Sequence, residues 1–378
     1  MSSSIHFGPE RYEAIRQTYR KWWAGELDRP IVPITTGGHE SNRAVSNNPD
    51  MTFETSWDWS IAPEQFVDRQ DYDLSTVRFH GDAFPTAAPT RFGAGALAAL
   101  LGCKPVSSKH TVWFMPPEEN IPLKELHFEY REDTPAFQRI MRYYEAAIEK
   151  WQGSVIVKMF DLGGVSDVLA SFRGTENLLM DLYDEPEEVI RCLNEIQDMW
   201  FRYFKRFNDV LKPTANGYSY WYGLYNEEPG YILQSDFCYM IGPKMFDEFI
   251  EPELRSSADR LYNAVYHMDG VGQIPHLDSL LKIDSIKGYQ WQPGEGEMMS
   301  RDWTELNLRI LEAGKKLISL FPNADGELHK EYAMNKVSGL PKVYDKYLPQ
   351  LYIPRGFHAS DIEKAKAYGD RYGVEVKL

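Results

Sequence analysis

Ala264-Val-Tyr-His-Met-Asp-Gly-Val-Gly272 decides how this chain is read. A β-branched and aromatic run ends in a histidine and an aspartate two positions apart, then meets two glycines. Alternate residues of a strand share a face, so His267 and Asp269 project together while Tyr266 and Met268 point the other way. A buried strand with a polar pair just before a glycine turn is how parallel α/β proteins bring reactive groups to the carboxyl edge of a sheet. The competing reading is a core histidine satisfied by a neighbouring carboxylate.

Outward from this strand the chain alternates. Glu10 to Ala24 reads as a helix, with Tyr12, Ile15, Tyr19 and Trp22 at helical spacing. Ile31 to Thr36 reads as a buried strand leading to Gly37-Gly38-His39, although Pro33 weakens it by lacking an amide donor. Ser154 to Phe160 reads as a strand, Asp161-Leu-Gly-Gly164 as a turn and Val165 to Phe172 as the start of a helix. Asp184-Glu-Pro-Glu187 carries the signals of a capped helix start, with the helix running to about Asn208. Strands follow at Gly217–Gly223, Ala264–His267, Gly288–Gln292, Lys316–Phe321 and Gln350–Ile353. Helices separate or follow them at Pro243–Tyr262, Ile274–Leu281, Thr304–Gly314 and Ser360–Tyr372. Seven or eight such units predict a parallel sheet closed into a (β/α)8 barrel within one domain spanning residues 1–378. Residues 40–125 are the least regular stretch and are expected to form an insertion over the barrel mouth. Within it, Arg91 to Gly102 resembles a phosphate loop but lacks the following Lys-Ser/Thr, so it reads as a short close-packed helix ended by Gly102.

Composition narrows the function. A net charge of −15 argues against a nucleic-acid partner, since phosphate backbones recruit lysine and arginine. No apolar run of 18 residues and no charged-then-hydrophobic leader is present, so neither a membrane span nor secretion is expected. Cys103, Cys192 and Cys238 are odd in number and show no C-x-x-C spacing, which fits a cytoplasmic setting without disulfides. Aromatics make up 14% of the chain, and clusters such as Trp57, Trp59, Trp113 and Tyr220-Trp-Tyr222 suit a pocket for a sizeable organic ligand or the filling of a large core.

Four blocks then appear in order: Trp23-Ala-Gly-Glu-Leu-Asp-Arg-Pro-Ile-Val-Pro33; Val155 to Phe172 with Asp184-Glu-Pro-Glu187; Leu233-Gln-Ser-Asp-Phe-Cys238 with Gly242 to Pro252; and Tyr266-His-Met-Asp-Gly270 with Tyr289-Gln-Trp-Gln-Pro-Gly294. In these the chain resembles the uroporphyrinogen decarboxylase superfamily, which joins tetrapyrrole decarboxylases to methyltransferases that move methyl groups between corrinoids and thiols. The decarboxylases carry Arg-Gln-Ala-Gly-Arg after the first strand; here that place reads Thr35-Thr-Gly-Gly-His39, without the guanidinium groups that many carboxylates demand. The methyltransferases carry His-x-Cys and a later cysteine that together hold zinc. This chain keeps His267, has Asp269 in place of the first cysteine, and offers Gly356-Phe-His358 near the end.

The resemblance therefore implies a methyl or group transferase linked to a corrinoid or thiol acceptor, with a small-molecule substrate and a corrinoid protein as partner. Its alternatives are decarboxylation of a tetrapyrrole or smaller acid, and a non-catalytic corrinoid- or tetrapyrrole-binding protein. His267 and Asp269 are candidate metal ligands, or a general base with its orienting carboxylate, and Cys238 is a candidate third ligand. The metal would be divalent, zinc first; the alternative is no tightly bound cofactor. Asp161 is a candidate for substrate contact or protonation, or a helix cap. His39, Tyr222, Trp291, Gln292 and His358 lie near expected strand ends and are candidates for lining the pocket.

Overall fold

The computed structural model describes residue 5 and residues 7–212, 216–294, 302–318 and 342–377. Its strands are β1 (Pro33–Gly37), β2 (Arg78–Gly81), β3 (Thr86–Ala87), β4 (Lys104–Ser107), β5 (Val112–Met115), β6 (Ile156–Val157), β7 (Ile232–Gln234), β8 (Ala264–Asp269), β9 (Ile286–Gln292), β10 (Lys316–Ile318), β11 (Leu351–Tyr352) and β12 (Arg355–His358). Five of them run parallel in the order β11-β10-β9-β8-β7. β12 pairs in parallel with β1, and β3 in parallel with β6. Single parallel bridges link Ile31 to Tyr352 and Met159 to Tyr220.

The fold is thus mixed α/β with parallel sheets, but the described hydrogen bonds do not close the expected (β/α)8 ring. Among the described residues no ladder joins β1 to β3 or Tyr220 to β7. Two local causes are visible. The free edge of β1 is taken by β2, which pairs with it antiparallel. β3 is only two residues long and is flanked by Pro85 and Pro89, neither of which has an amide to donate. The expected strand at Gly217–Gly223 likewise reduces to bridges at Tyr218 and Tyr220. The expected strand at Lys316–Phe321 is seen as Lys316–Ile318, and residues 319–321 lie outside the described residues.

Helices pack against the strands. Pro9–Ala24 buries Tyr12, Ile15, Tyr19 and Trp22 and ends where Gly25 turns at φ 75° and donates to the carbonyls of Lys21 and Trp22. Pro186–Leu211 is longer than its apolar spacing indicated, and Asp184 does not cap it: Asp184 closes the preceding helix Thr175–Asp184, leaving Glu185 as the joint. The expected helix from Pro243 is broken by a π-turn at Phe246–Ile250 before it resumes at Glu251–Asp259. One contiguous apolar core runs through all of this.

Residues 40–125 are more regular than their composition suggested. They hold the helix Pro63–Ser75, the hairpin β4–β5, and β3, which joins the parallel strands through β6. The Arg91–Gly102 run forms the short helix Leu97–Leu100, with Gly102 at φ 118° just beyond it. No helix of the described residues is long and apolar enough to cross a membrane.

Candidate functional site

The period-two reading of β8 holds. Tyr289, beside Tyr266 in the next strand, donates its hydroxyl to the Leu280 carbonyl of the helix Leu277–Leu281 at 2.7 Å, so this face meets the helices. Tyr266 and Met268 are fully buried, whereas His267 and Asp269 are partly exposed on the opposite face. The register places Gln234 of β7 and Gln290 of β9 on either side of His267, and Gln292 beside Asp269. A row of Gln-His-Gln therefore crosses three strands, one layer below the carboxyl edge.

The row sets the chemistry of the imidazole. Gln290 donates its amide nitrogen to the Trp291 carbonyl at 3.0 Å, which turns its oxygen toward His267. His267 Nδ1 contacts that oxygen, and an amide oxygen only accepts, so Nδ1 carries a proton. Nε2 then faces Asp269 Oδ2 at 3.5 Å. Burial works against a charge on this ring, but Asp269 and Asp236 together with Gln290 outweigh it and hold His267 above the ordinary imidazole value.

Asp236 completes the cluster from two residues beyond β7. Asp236, His267 and Asp269 each offer one ligand atom, and these atoms all lie within 4.8 Å of one another. The loop bearing Asp236 is held by Asp167, whose carboxylate accepts the amides of Asp236 at 3.0 Å and Phe237 at 2.7 Å. Asp167 stands in the first turn of the helix Val165–Arg173. That helix start approaches β7 so closely that a Cβ on Gly164 would fall 2.3 Å from the Gln234 carbonyl oxygen, which accounts for the glycine. Burial and the neighbouring Asp236 push Asp167 up to about 7. Burial also raises Asp236, His267 countering it and Asp269 adding to it. Such crowding of carboxylates is the electrostatic setting that a bound cation relieves.

Asp161 lies beyond β6 on the same edge. It does not cap the helix, which begins at Val165 after Gly164; its Oδ1 accepts the Gly163 amide at 2.9 Å and the Tyr231 hydroxyl at 3.4 Å, holding the turn instead. Burial pushes it up to about 6, against the Gly163 amide and His267, which favour its charge. Cys238 is not part of the cluster. Its sulfur sits 3.7 Å from the Tyr266 hydroxyl on the helix-facing side, and burial pushes the thiol up to about 12. Trp291 also faces outward, beside Met268 in register and with its ring 5.1 Å from that of Trp303. Gln292 shares the Asp269 face. Tyr222 packs between Trp221 at 5.9 Å and Tyr352 at 6.3 Å.

His39 and His358 form a separate group at the ends of β1 and β12. Thr36 Oγ1 contacts His39 Nε2 at 2.8 Å and His80 Nε2 at 3.0 Å, and a Cβ on Gly38 would lie 2.4 Å from His358 Nε2. Asp236, Gln290 and Trp221, whose ring meets that of His267 edge-on at 5.3 Å, are the site residues that sequence reasoning missed. Gln290 had a signal, since it precedes Gln292 by two in one strand. Asp236 has the same parity as Gln234. Trp221 lay in the aromatic cluster Tyr220-Trp-Tyr222, but no spacing tied it to His267.

No family model matches the chain, and no curated protein matches it in sequence. Among solved structures, a methyltransferase from Methanosarcina mazei matches with a TM-score of 0.59 over 95% of this chain and 99% of that one, at 10% identity. What the two share at that identity is the fold.

Proposed function

We propose that this chain is a metal-dependent methyl or group transferase of the uroporphyrinogen decarboxylase superfamily, acting between a corrinoid carried by a partner protein and a thiol or related acceptor. The observation that carries the reading is the trio of Asp236, His267 and Asp269 gathered at the carboxyl edge of parallel strands. The donor set fits a divalent cation: two carboxylates and an imidazole whose tautomer Gln290 fixes through Nδ1. With two oxygens and no thiolate, it suits zinc in a strongly Lewis-acidic state, or a harder metal. When bound, such an ion polarises a substrate heteroatom. Gln290 orients the imidazole, Asp167 holds the Asp236 loop, and Asp161, poised near 6, can hold or release a proton on its carboxyl at neutral pH.

The same reading closes the strands into a cytoplasmic, single-domain (β/α)8 barrel, with β3 in its wall and the rest of residues 40–125 over its mouth. Support for that placement comes from Ala96, whose amide donates to the Asp161 carbonyl at 3.0 Å beside the candidate site. Limited proteolysis that released residues 40–125 as a stable folded fragment would contradict it.

The test of function is paired. Elemental analysis of purified protein should find a divalent metal at near one equivalent, absent from His267→Ala, and a thiol panel with methylcobalamin should give a visible absorption change only with the metal-loaded parent. A second reading, metal-free decarboxylation of a small acid, draws on Asp161 as a carboxyl that burial raises to about 6, so that it takes up a proton just below neutrality. A metal-free parent that releases carbon dioxide from an acid substrate would replace the first reading with the second.

A further inference from the structure

Trp221, whose ring meets His267, also holds on its carbonyl a cation that none of the acids around the cluster neutralises. Lys158 is partly buried one residue beyond β6, and no carboxylate of the described residues lies within ion-pair distance of it. Its ammonium makes one hydrogen bond, to the Trp221 carbonyl at 3.2 Å, and so has two further donors to give. The backbone that carries it is pinned. Its amide donates to the Ala87 carbonyl at 2.7 Å, and its carbonyl accepts the Tyr144 hydroxyl at 2.9 Å. Trp221 is the bridge between this cation and the cluster, with Lys158 on its carbonyl and His267 against its ring. The Trp221 indole nitrogen is itself buried and lacks a partner. Gln234, beside His267 in register, has a buried amide oxygen that is likewise unpartnered. Buried polar groups are nearly always satisfied, so the Trp221 N–H marks where a ligand supplies an acceptor, while the Gln234 oxygen calls for a donor from elsewhere on that ligand.

We infer that Lys158 is the anion-holding group of the site, and that the molecule acted upon carries a carboxylate whose oxygens accept from the Lys158 ammonium and the Trp221 indole N–H. This deepens the proposed function by naming a substrate class. It rests on that reading only for where the reacting atom lies, on the His267 side of Trp221. The substrate is then a small bifunctional molecule with an acid group at one end and a reactive heteroatom at the other. Burial pushes the Lys158 ammonium down to about 8 with no counter-charge to restore it, which a bound carboxylate would do.

The test is ligand-observed NMR on EDTA-treated protein, so that the anion site is read whether or not a metal belongs there. The probes are 3-mercaptopropionate, its neutral amide and inorganic phosphate. The parent should take the carboxylate about tenfold more tightly than the amide, the worth of one hydrogen bond to a charged group. Lys158→Met should lose that preference and Lys158→Arg should keep it. Thermal melting separates binding from structure: an uncompensated cation removed leaves stability unchanged or higher, so Lys158→Met should melt no lower than the parent. The inference is overturned if the parent shows no preference for carboxylate over amide, if phosphate is taken in preference, if Lys158→Met retains the preference, or if that variant melts several degrees early. Loss of metal binding in the parent would break the proposed function and leave these outcomes readable.

Discussion

His267 sits at the end of β8 with Asp236, Asp269 and Gln290 around it, while His39, His80 and His358 gather about β1 and β12 with Thr36 and Arg78. Burial disfavours the imidazolium at both places. At β8 the carboxylates outweigh it and His267 is raised. At β1 nothing opposes it: Arg78 and His358 push His39 lower still, and His39, Arg11 and Arg78 do the same to His80. The lesson is that a histidine at a strand end acquires its role from charges delivered by neighbouring strands, not from its own strand.

The sharpest way to break this contrast is to remove each histidine and measure metal. His267→Ala should lose divalent-metal affinity by more than the roughly 10–100-fold that removal of a supporting partner costs, while His39→Ala should leave it unchanged. Equal losses from both, by calorimetric titration, would mean that the two edges are not distinct. Gln290→Leu comes next. It leaves Asp236, His267 and Asp269 in place but frees the His267 tautomer, and metal affinity should fall roughly 10–100-fold with little change in the melting midpoint. An unaffected Gln290→Leu would show that the amide only packs.

The metal-free protein should show opposite pH slopes at the two edges. His267 is raised in the fold, so its contribution to stability is present below the unfolded value of 6.5 and is lost as pH rises through the higher folded value. His39 and His80 are lowered, so theirs is present above 6.5 and is lost as pH falls toward their folded values. Denaturant titrations of His267→Gln and His80→Gln against the parent across this range should diverge from it in opposite directions; parallel curves would refute the assignment. The smallest effect belongs to Asp161. With its folded value near 6 against 3.8 for an unperturbed aspartate, stability should decline as pH rises across that window and then level off. Asp161→Asn should flatten this decline, and Asp161→Ala, which leaves the Gly163 amide unpaired, should cost about 1 kcal/mol.

The face assignment at β8 was legible because alternation is local: His267 and Asp269 share a face whatever the rest of the chain does. What lies beside them was not legible, because register between strands is a long-range property. Asp236 is 31 residues before His267 in the chain and Gln290 is 23 after it, and no spacing rule pairs them. Trp291 was placed near the pocket on the strength of its strand, but parity sets it against Trp303, while Gln292, one residue on, faces Asp269. Cys238 was plausible as a ligand by chemistry, and the turn at Phe237–Met240 carries it to Tyr266 instead. The alternation of helices and strands gave the α/β class; the two-residue β3 and the capture of β1 by β2 had no counterpart in hydrophobic pattern.

The face rule of β9 also governs how this chain can change over generations. Deleting one residue between Ile286 and Gln290 would exchange the two faces of the strand's far end, bringing Trp291 beside His267 and sending Gln290 into the helices. Point substitutions along β9 therefore act singly, whereas a single-codon deletion there rewrites the wall of the site and the packing behind it at one stroke. Two-residue deletions restore parity but draw the glutamines down one layer. Descendants that retain the chemistry should accordingly vary freely in the length of the loops entering and leaving Ile286–Gln292, and hardly at all in the length of the strand itself.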